Sequence, residues 1–238
     1  MKSSKILSVN IDHIATIRNA RNSPYPDLLR AVALVKKAGA EIVTIHLRED
    51  RRHIRDNDAF AICNSGLLPV NLEIAATEEM LEIALKLRPK YVCFVPEKRE
   101  EVTTEGGLNI LLYKNVLKDY TLKLKENGTE VSFFIEASFE MMDLALECGA
   151  NTVEIHTGKF ADFKEEKEFE RIKAASSYAK SKGLNVHAGH GLTFETAMKI
   201  SEISEISILH IGHFLITESI FVGLEKAVLE MKTKINLV

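Results

Sequence analysis

A chain of 238 residues, 46% hydrophobic and 27% charged, has room for one large α/β domain and the composition of an ordinary globular protein. Its net charge of −3 gives no reason to expect nucleic acid or another polyanion as partner. Cys63, Cys93 and Cys148 are odd in number and form no CxxC, so the simple reading is core filling in a reducing, cytoplasmic compartment.

The first apolar run, Ile6 to Asp12, reads as a strand and is too short for a signal-peptide core or a membrane span. It runs into His13, Arg18 and Arg21, then into Ser23-Pro24-Tyr25-Pro26-Asp27, a loop and helix start. Leu28, Ala31, Val32 and Val35 are spaced as the buried face of a helix that Gly39 ends. Glu41 to Leu47 is the second strand. A charged loop and a helix over Asp56 to Asn64 follow. Val70 to Glu73 is the third strand, and Thr77-Glu78-Glu79 opens the next helix with an N-cap and an acidic first turn. Tyr91 to Val95 is the fourth strand, followed by a polar loop over 96–107.

The second half repeats the theme. A helix over Ile110 to Glu126 stops at Asn127-Gly128. Strands are predicted over Val131 to Ile135, Thr152 to His156, Leu184 to Ala188 and Ile206 to Ile211. Helices are predicted over Phe139 to Glu147, Glu165 to Lys182, Thr193 to Ser201 and Ile220 to Lys234. Strands alternating with helices imply a parallel sheet with right-handed crossovers. Eight such units in this length suit a (β/α)8 TIM barrel with extra short helices, forming a single catalytic domain over 1–238. A doubly wound open sheet would show a glycine-rich turn after strand one, where Asn10-Ile11-Asp12-His13 stands instead.

The strands begin apolar and end ionisable. Val43, Ile45 and Leu47 alternate with Thr44, His46 and Arg48, so the polar three share a face. Asn10 and Asp12, Asn71 and Glu73, and Thr152, Glu154 and His156 close three other runs in the same way. All eight histidines, His13, His46, His53, His156, His187, His190, His210 and His213, fall at predicted strand ends or just after them, none in the body of a helix. In a barrel those ends form the active face. His46, Glu73 and His190 would then converge from three strands as groups able to move protons near neutral pH. Neighbouring strands lie about 4.8 Å apart, so His46 and Glu73 can reach one substrate together. Arg48, if close, favours an ionised Glu73.

No metal is expected, because the His187/His190 spacing follows a strand-to-loop turn and not one helix face. Nor is a cofactor expected. Acyl transfer lacks a GxSxG motif, and no lysine stands at a strand end for imine chemistry. Gly189-His190-Gly191 and Gly212-His213 follow strands seven and eight, where barrels bind phosphate through backbone N–H groups. Arg48, Arg51, Arg52 and His53 offer a second anion site, or else a solvated charge run.

Several long runs carry a resemblance. Asn10 through Arg21, His46 through Ile54, Asn71-Leu72-Glu73, Val95 through Gly107, Glu154 through Gly158, Ala188 through Leu192 and Ile211-Gly212-His213 resemble, in order, the motifs of the pyridoxine 5′-phosphate synthase family. The resemblance implies a metal-free, cytoplasmic homo-octamer. Its two phosphorylated small-molecule substrates would be 3-amino-2-oxopropyl phosphate and 1-deoxy-D-xylulose 5-phosphate, joined to give pyridoxine 5′-phosphate, phosphate and water. By motif position it implies His46 and Glu73 as the acid/base pair, His190 as proton donor when water leaves, and Glu154 as stabiliser of the developing pyridine nitrogen. It implies Asn10, Arg21, Gly191, Gly212 and His213 for the aminoketone phosphate, and Asp12, His13, Arg48, His53 and Thr103 for the sugar phosphate.

Four positions, in three places, depart from the family pattern. Glu136 stands where Asp is usual, His210 where Asn usually precedes Ile-Gly-His, and Thr217-Glu218 where a small residue and Arg are usual. The last two places are expected to alter the outer shell of the strand-eight phosphate site. Two other readings stay open: a different phosphosugar barrel enzyme, such as a metal-dependent aldolase or isomerase, and a non-catalytic phospholigand sensor.

Overall fold

A computed structural model describes residues 4–103 and 106–237. The loop-motif residues Thr104 and Glu105, and the ends of the expected domain at 1–3 and 238, lie outside the described residues. Eight parallel strands close a barrel in sequence order. They are β1 (Ile6–Asn10), β2 (Ile42–His46), β3 (Val70–Ile74), β4 (Tyr91–Phe94), β5 (Glu130–Ile135), β6 (Thr152–His156), β7 (Asn185–Gly189) and β8 (Ile206–Ile211). β8 pairs back onto β1 through Ser8 and His210. The expected (β/α)8 barrel is therefore the observed architecture.

The crossover helices bury the faces that their apolar spacing foretold. Helix α2 (Leu28–Lys37) buries Leu28, Ala31, Val32 and Val35, and Asp27 caps it by accepting from the Arg30 N–H at 2.6 Å. Such a cap typically contributes about 1 kcal/mol. The outward strand residues, such as Val9, Ile45, Leu72 and Val153, are fully buried beneath these helices. The inward residues are polar to an unusual degree: Ser8, Thr44, Asn71, Glu154, His187 and His210 are all buried.

Three local expectations change. Strand one stops at Asn10, because the Asn10 carboxamide oxygen accepts the Asp12 N–H at 2.9 Å and turns the chain into helix α1 (Asp12–Ala20). His13 and His213 accordingly sit in first turns of helices, α1 and α10 (His213–Val222), and not in loops. The final helix, expected as one piece, is α10 followed by α11 (Leu224–Lys234), separated by Gly223 at φ +87°, where a side chain would be strained. The remaining helices are α3 (Asp56–Asn64), α4 (Glu78–Leu87), α5 (Ile110–Glu126), α6 (Phe139–Glu147), the short α7 (Gly158–Phe163), α8 (Glu166–Ser181) and α9 (Phe194–Ser201).

Candidate active site

The β2–β3 register sets His46 opposite Glu73 at the C-terminal ends of both strands. His46 Nδ1 lies 3.9 Å from a Glu73 oxygen. The His46 backbone N–H donates to Asp12 Oδ1 at 2.9 Å, while Asn10 Nδ2 donates to Asp12 Oδ2 at 2.9 Å. On the other side of the imidazole, Nε2 lies 2.9 Å from Glu97 Oε1. Glu97 belongs to the loop after β4, and sequence reasoning did not single it out. Its position just beyond a strand end, after Val95-Pro96, was the available signal.

The two carboxyl groups beside His46 differ in ionisation. Burial, then the nearby Glu154 and Asp12 carboxyls, push Glu73 well above the usual carboxylate range. Burial also works to raise Glu97, but the His46 hydrogen bond and charge, the Glu49 N–H and Arg48 outweigh it and hold Glu97 low. The expectation that Arg48 ionises Glu73 is thereby corrected. Arg48 points at Glu97, with Nη2 3.4 Å from its backbone oxygen and 3.9 Å from Oε2. His46 thus stands between a carboxylate and a group that favours the carboxylic acid.

Glu154 on β6 is buried, and desolvation raises it to about 8. Its Oε2 faces both Cys93 Sγ and His210 Nε2, each at 3.7 Å. A Cβ at residue 189 would stand 2.3 Å from Glu154 Oε1, so only glycine leaves that carboxyl its place. Beneath it, His210 Nε2 meets His187 Nδ1 at 3.2 Å and His210 Nδ1 meets Thr44 Oγ1 at 3.1 Å. Burial lowers both histidines, His187 to about 3, so both are neutral at pH 7. His210 therefore belongs to the barrel interior and not to the outer shell of the strand-eight phosphate site. Of the other departures, Thr217 bonds the Phe214 carbonyl within α10, and Glu136 accepts the Gly107 N–H at 2.9 Å and so roots the long loop after β4.

The glycine turns lie on the β7–β8–β1 side. Gly212 caps α10, whose unpaired N-terminal N–H groups suit an anion. A Cβ on Gly212 would meet the Asn10 side chain at 2.9 Å, which places Asn10 at that helix end. The His13 ring meets His213 edge-on at 4.9 Å and His53 at 6.1 Å. Burial lowers His13 and His53, and His53 Nδ1 is buried with no hydrogen-bond partner among the described residues. His190 (φ +80°) and Gly191 (φ +76°) form a left-handed turn. The His190 ring stacks on His156 at 4.9 Å. It keeps an edge open to solvent, while surrounding protein pulls it below the ordinary histidine value. Thr103 closes its loop by accepting the Gly107 N–H at 3.2 Å. Arg21 is exposed at the C-terminal cap of α1, roughly 13 Å along the helix from Asp12.

Asp12, His46 and Glu73 also place ligand atoms within 4.8 Å of one another, a spacing compatible with a cation. It is not the His187/His190 pair that the spacing of the sequence brought up. Both Asp12 oxygens already accept hydrogen bonds, His46 Nε2 faces Glu97, and Glu73 favours its protonated form. A cation would have to share the Asp12 oxygens with these donors and take the place of the proton that Glu73 favours, while His46 could still meet it through Nδ1. Among the described residues no helix is long and apolar enough to cross a membrane.

This arrangement can be set beside known proteins. The overall fold is similar to 3-keto-L-gulonate-6-phosphate decarboxylase from Vibrio cholerae, with a TM-score of 0.69 at 8% identity over 98% of both chains. It is similar to N-(5′-phosphoribosyl)anthranilate isomerase from Pyrococcus furiosus, with a TM-score of 0.65 at 13% identity over 98% of this chain and 100% of the other. At such identities the likeness concerns the barrel alone. In sequence the chain is 51% identical over 233 residues to a pyridoxine 5′-phosphate synthase of Aliivibrio fischeri, covering 96% of each. It is 48% identical over 230 residues to that of Idiomarina loihiensis, covering 95% of each. Residues 7–237 match the family profile described as pyridoxal phosphate biosynthesis protein PdxJ, and the chain belongs to that family.

Proposed function

We propose that this chain is a pyridoxine 5′-phosphate synthase, condensing 3-amino-2-oxopropyl phosphate with 1-deoxy-D-xylulose 5-phosphate to give pyridoxine 5′-phosphate, phosphate and water. The observation that carries the reading is the acid/base array at one barrel mouth: His46 and Glu73 3.9 Å apart, with the buried Glu154 carboxyl raising Glu73 further. Imine formation, elimination and ring closure are successive proton transfers, and such an array supplies both donors and acceptors. Glu73 favours the acid and keeps 15% of its side chain exposed, so it can give a proton to a leaving hydroxyl and regain it from water. His46 accepts through Nδ1. Glu154, raised to about 8, holds a proton to share with a ring nitrogen as it forms. His190, open at one edge, supplies the proton as water leaves.

Two phosphates need two anion sites. The α10 N-terminus with Asn10, Gly212, His213 and the Gly191 turn suits the aminoketone phosphate, and motif position assigns Arg21, at the exposed end of α1, to the same phosphate. Asp12, His13, Arg48, His53 and Thr103 suit the sugar phosphate, supported by the unpartnered His53 Nδ1. The reaction runs on these residues without a metal or cofactor. The reading extends to a single catalytic domain over 1–238 in a cytoplasmic homo-octamer. The exposed Ile220 and Phe221 on α10 supply apolar surface for subunit contact. Purified protein mixed with both substrates should release pyridoxine 5′-phosphate and phosphate in equal amounts. Binding without product would favour a phospholigand sensor, and product from either substrate alone would favour a different barrel enzyme.

A further inference from the structure

We propose that Glu97 is a positioning residue for His46: its carboxylate holds the imidazole by Nε2 and turns Nδ1 toward Glu73 and the substrate. This rests on the reading of His46 as the acid/base group.

The geometry is built and not incidental. The Glu97 side chain is 4% exposed, and both its oxygens are engaged. Oε1 lies 2.9 Å from His46 Nε2, and Oε2 accepts the Glu49 N–H at 3.0 Å. The Glu97 backbone is fixed as well, its N–H donating to Glu101 Oε2 at 2.7 Å. Arg48 adds positive charge from β2's side, with Nη2 3.9 Å from Oε2. His46 is anchored at its own backbone by Asp12. The ring therefore has one orientation and two unlike neighbours.

A carboxylate only accepts hydrogen bonds. The proton of a neutral His46 ring must then sit on Nε2, which leaves the lone pair on Nδ1, the atom 3.9 Å from Glu73. That gap is too long for a direct hydrogen bond, so a substrate proton can be taken up there. When Nδ1 takes it, the imidazolium forms against the Glu97 anion, which stabilises it without moving.

The contact makes an unusual prediction for Glu97→Gln. The Glu49 N–H still needs an acceptor, so the amide oxygen turns to it and the NH2 group faces His46 Nε2. Nε2 must now accept, and the ring proton moves to Nδ1, the wrong atom for a base. Glu97→Ala offers no donor and leaves the ring free to sample both tautomers. The order of kcat should be wild type, then Glu97→Ala, then Glu97→Gln. The Gln variant should lose roughly 10²–10⁴-fold, the scale seen when a catalytic imidazole is held in the wrong tautomer or its acid/base role is lost.

The test uses the full-length protein and its 15N-labelled histidine spectrum. His46 should show a protonated Nε2 in the wild type and a protonated Nδ1 in Glu97→Gln. The variants should stay folded by circular dichroism. Adding Glu97→Gln to His46→Asn should cost no further activity, because the effect runs through the ring. Unchanged tautomer in Glu97→Gln, a loss that appears only in KM, or a full additional loss on the His46→Asn background would overturn the proposal. Near-normal turnover in His46→Asn would instead remove the catalytic reading of His46, while the tautomer shift would still report the contact itself.

Discussion

The barrel holds two layers of imidazole and carboxyl groups that look alike in composition and differ in what they can do. At the mouth stand His46 and Glu73, with side chains 11% and 15% exposed. One layer below stand His210 and Glu154, at 5% and 4%. Both nitrogens of His210 meet protein partners, Thr44 and His187, and burial keeps the ring neutral. At the mouth, His46 has one nitrogen held by Glu97 and the other across an open 3.9 Å gap from an acid. A histidine acts on a substrate when one nitrogen is held and the other is left free. A histidine held at both nitrogens is structure. Residue type alone does not separate the two cases.

The largest expected effects test the mouth. His46→Asn and Glu73→Gln should each lower kcat by roughly 10²–10⁴-fold, the usual contribution of a general acid or base, with circular dichroism and melting temperature near wild type. If the two act as one unit, the double variant should lose much less than the product of the single losses. Fully multiplicative losses would assign them to separate steps. Near-normal turnover in a folded His46→Asn variant would erase the distinction between the layers.

A smaller effect is expected at the glycine side of the mouth. Gly212→Ala places a methyl group 2.9 Å from the Asn10 Cβ, and neither side chain nor helix end can give way freely. The Asn10 carboxamide, which also steadies Asp12, should shift off the anion site. Losing one hydrogen bond to a charged group costs about 1.5 kcal/mol or more, roughly a tenfold rise in KM for the aminoketone phosphate. The KM for the sugar phosphate should change less, and equal rises in both would mean the site had been assigned to the wrong substrate.

The eight strands were legible because each is a short apolar run between helical stretches, several of them ending in ionisable residues, and parallel pairing needs nothing more specific. The face shared by Thr44, His46 and Arg48 was legible from period two, and the opposition of His46 to Glu73 from strand order. Helix α1 was not, because it begins where the Asn10 carboxamide oxygen accepts the Asp12 N–H, a contact that replaces the next strand residue. The break at Gly223 was hidden inside the apolar run Ile220-Phe221-Val222-Gly223-Leu224, which reads on as one helix. Arg48 shares a face with His46, but its long side chain chose Glu97 over Glu73, a choice that register cannot foretell. Glu97 itself was masked by Lys98, Arg99, Glu100 and Glu101, a run that reads as solvated charge. Its side chain is buried against His46 and the Glu49 N–H, both from the chain at the end of β2.

His210, held at both nitrogens in the interior layer, should answer to mutation in stability more than in turnover. His210→Asn leaves His187 Nδ1 and Thr44 with fewer partners, a loss of about 1–3 kcal/mol. At this chain length that is a fall of roughly 2–4 °C in melting temperature per kcal/mol, while kcat changes little. The pH dependence carries the sign. His187 and His210 have folded pKa values below the unfolded 6.5, His187 at about 3. The unfolded chain thus binds more protons below pH 6.5, and their contribution is lost as pH falls from 6.5 toward 3. Glu154, raised to about 8, has the opposite sense: its contribution is present below its unfolded value and lost as pH rises through 8. It is common to both proteins, so the comparison isolates the histidines. Between pH 6.5 and 4 the melting temperature of His210→Asn should fall less steeply than that of wild type, and parallel curves would mean that His210 is not held neutral by the fold.

The smallest expected effect is none. Asp12, His46 and Glu73 have the mutual spacing of a cation site, so the mouth would be a metal centre if those atoms were free. Two of the three carry a competitor: the Asp12 oxygens accept from the His46 and Asn10 N–H groups, and burial favours a proton on Glu73, while His46 keeps Nδ1 open. A divalent ion would have to share the Asp12 oxygen that anchors His46, displace the proton from Glu73 and take the Nδ1 lone pair of His46, the groups on which the acid/base reading depends. A metal and that mechanism are therefore alternatives at this site and cannot operate together. Dialysis against a strong chelator should leave kcat and KM for both substrates unchanged, and added zinc or manganese should inhibit by occupying the mouth. Activity that vanishes on chelation and returns with one metal would turn His46 and Glu73 from proton carriers into ligands.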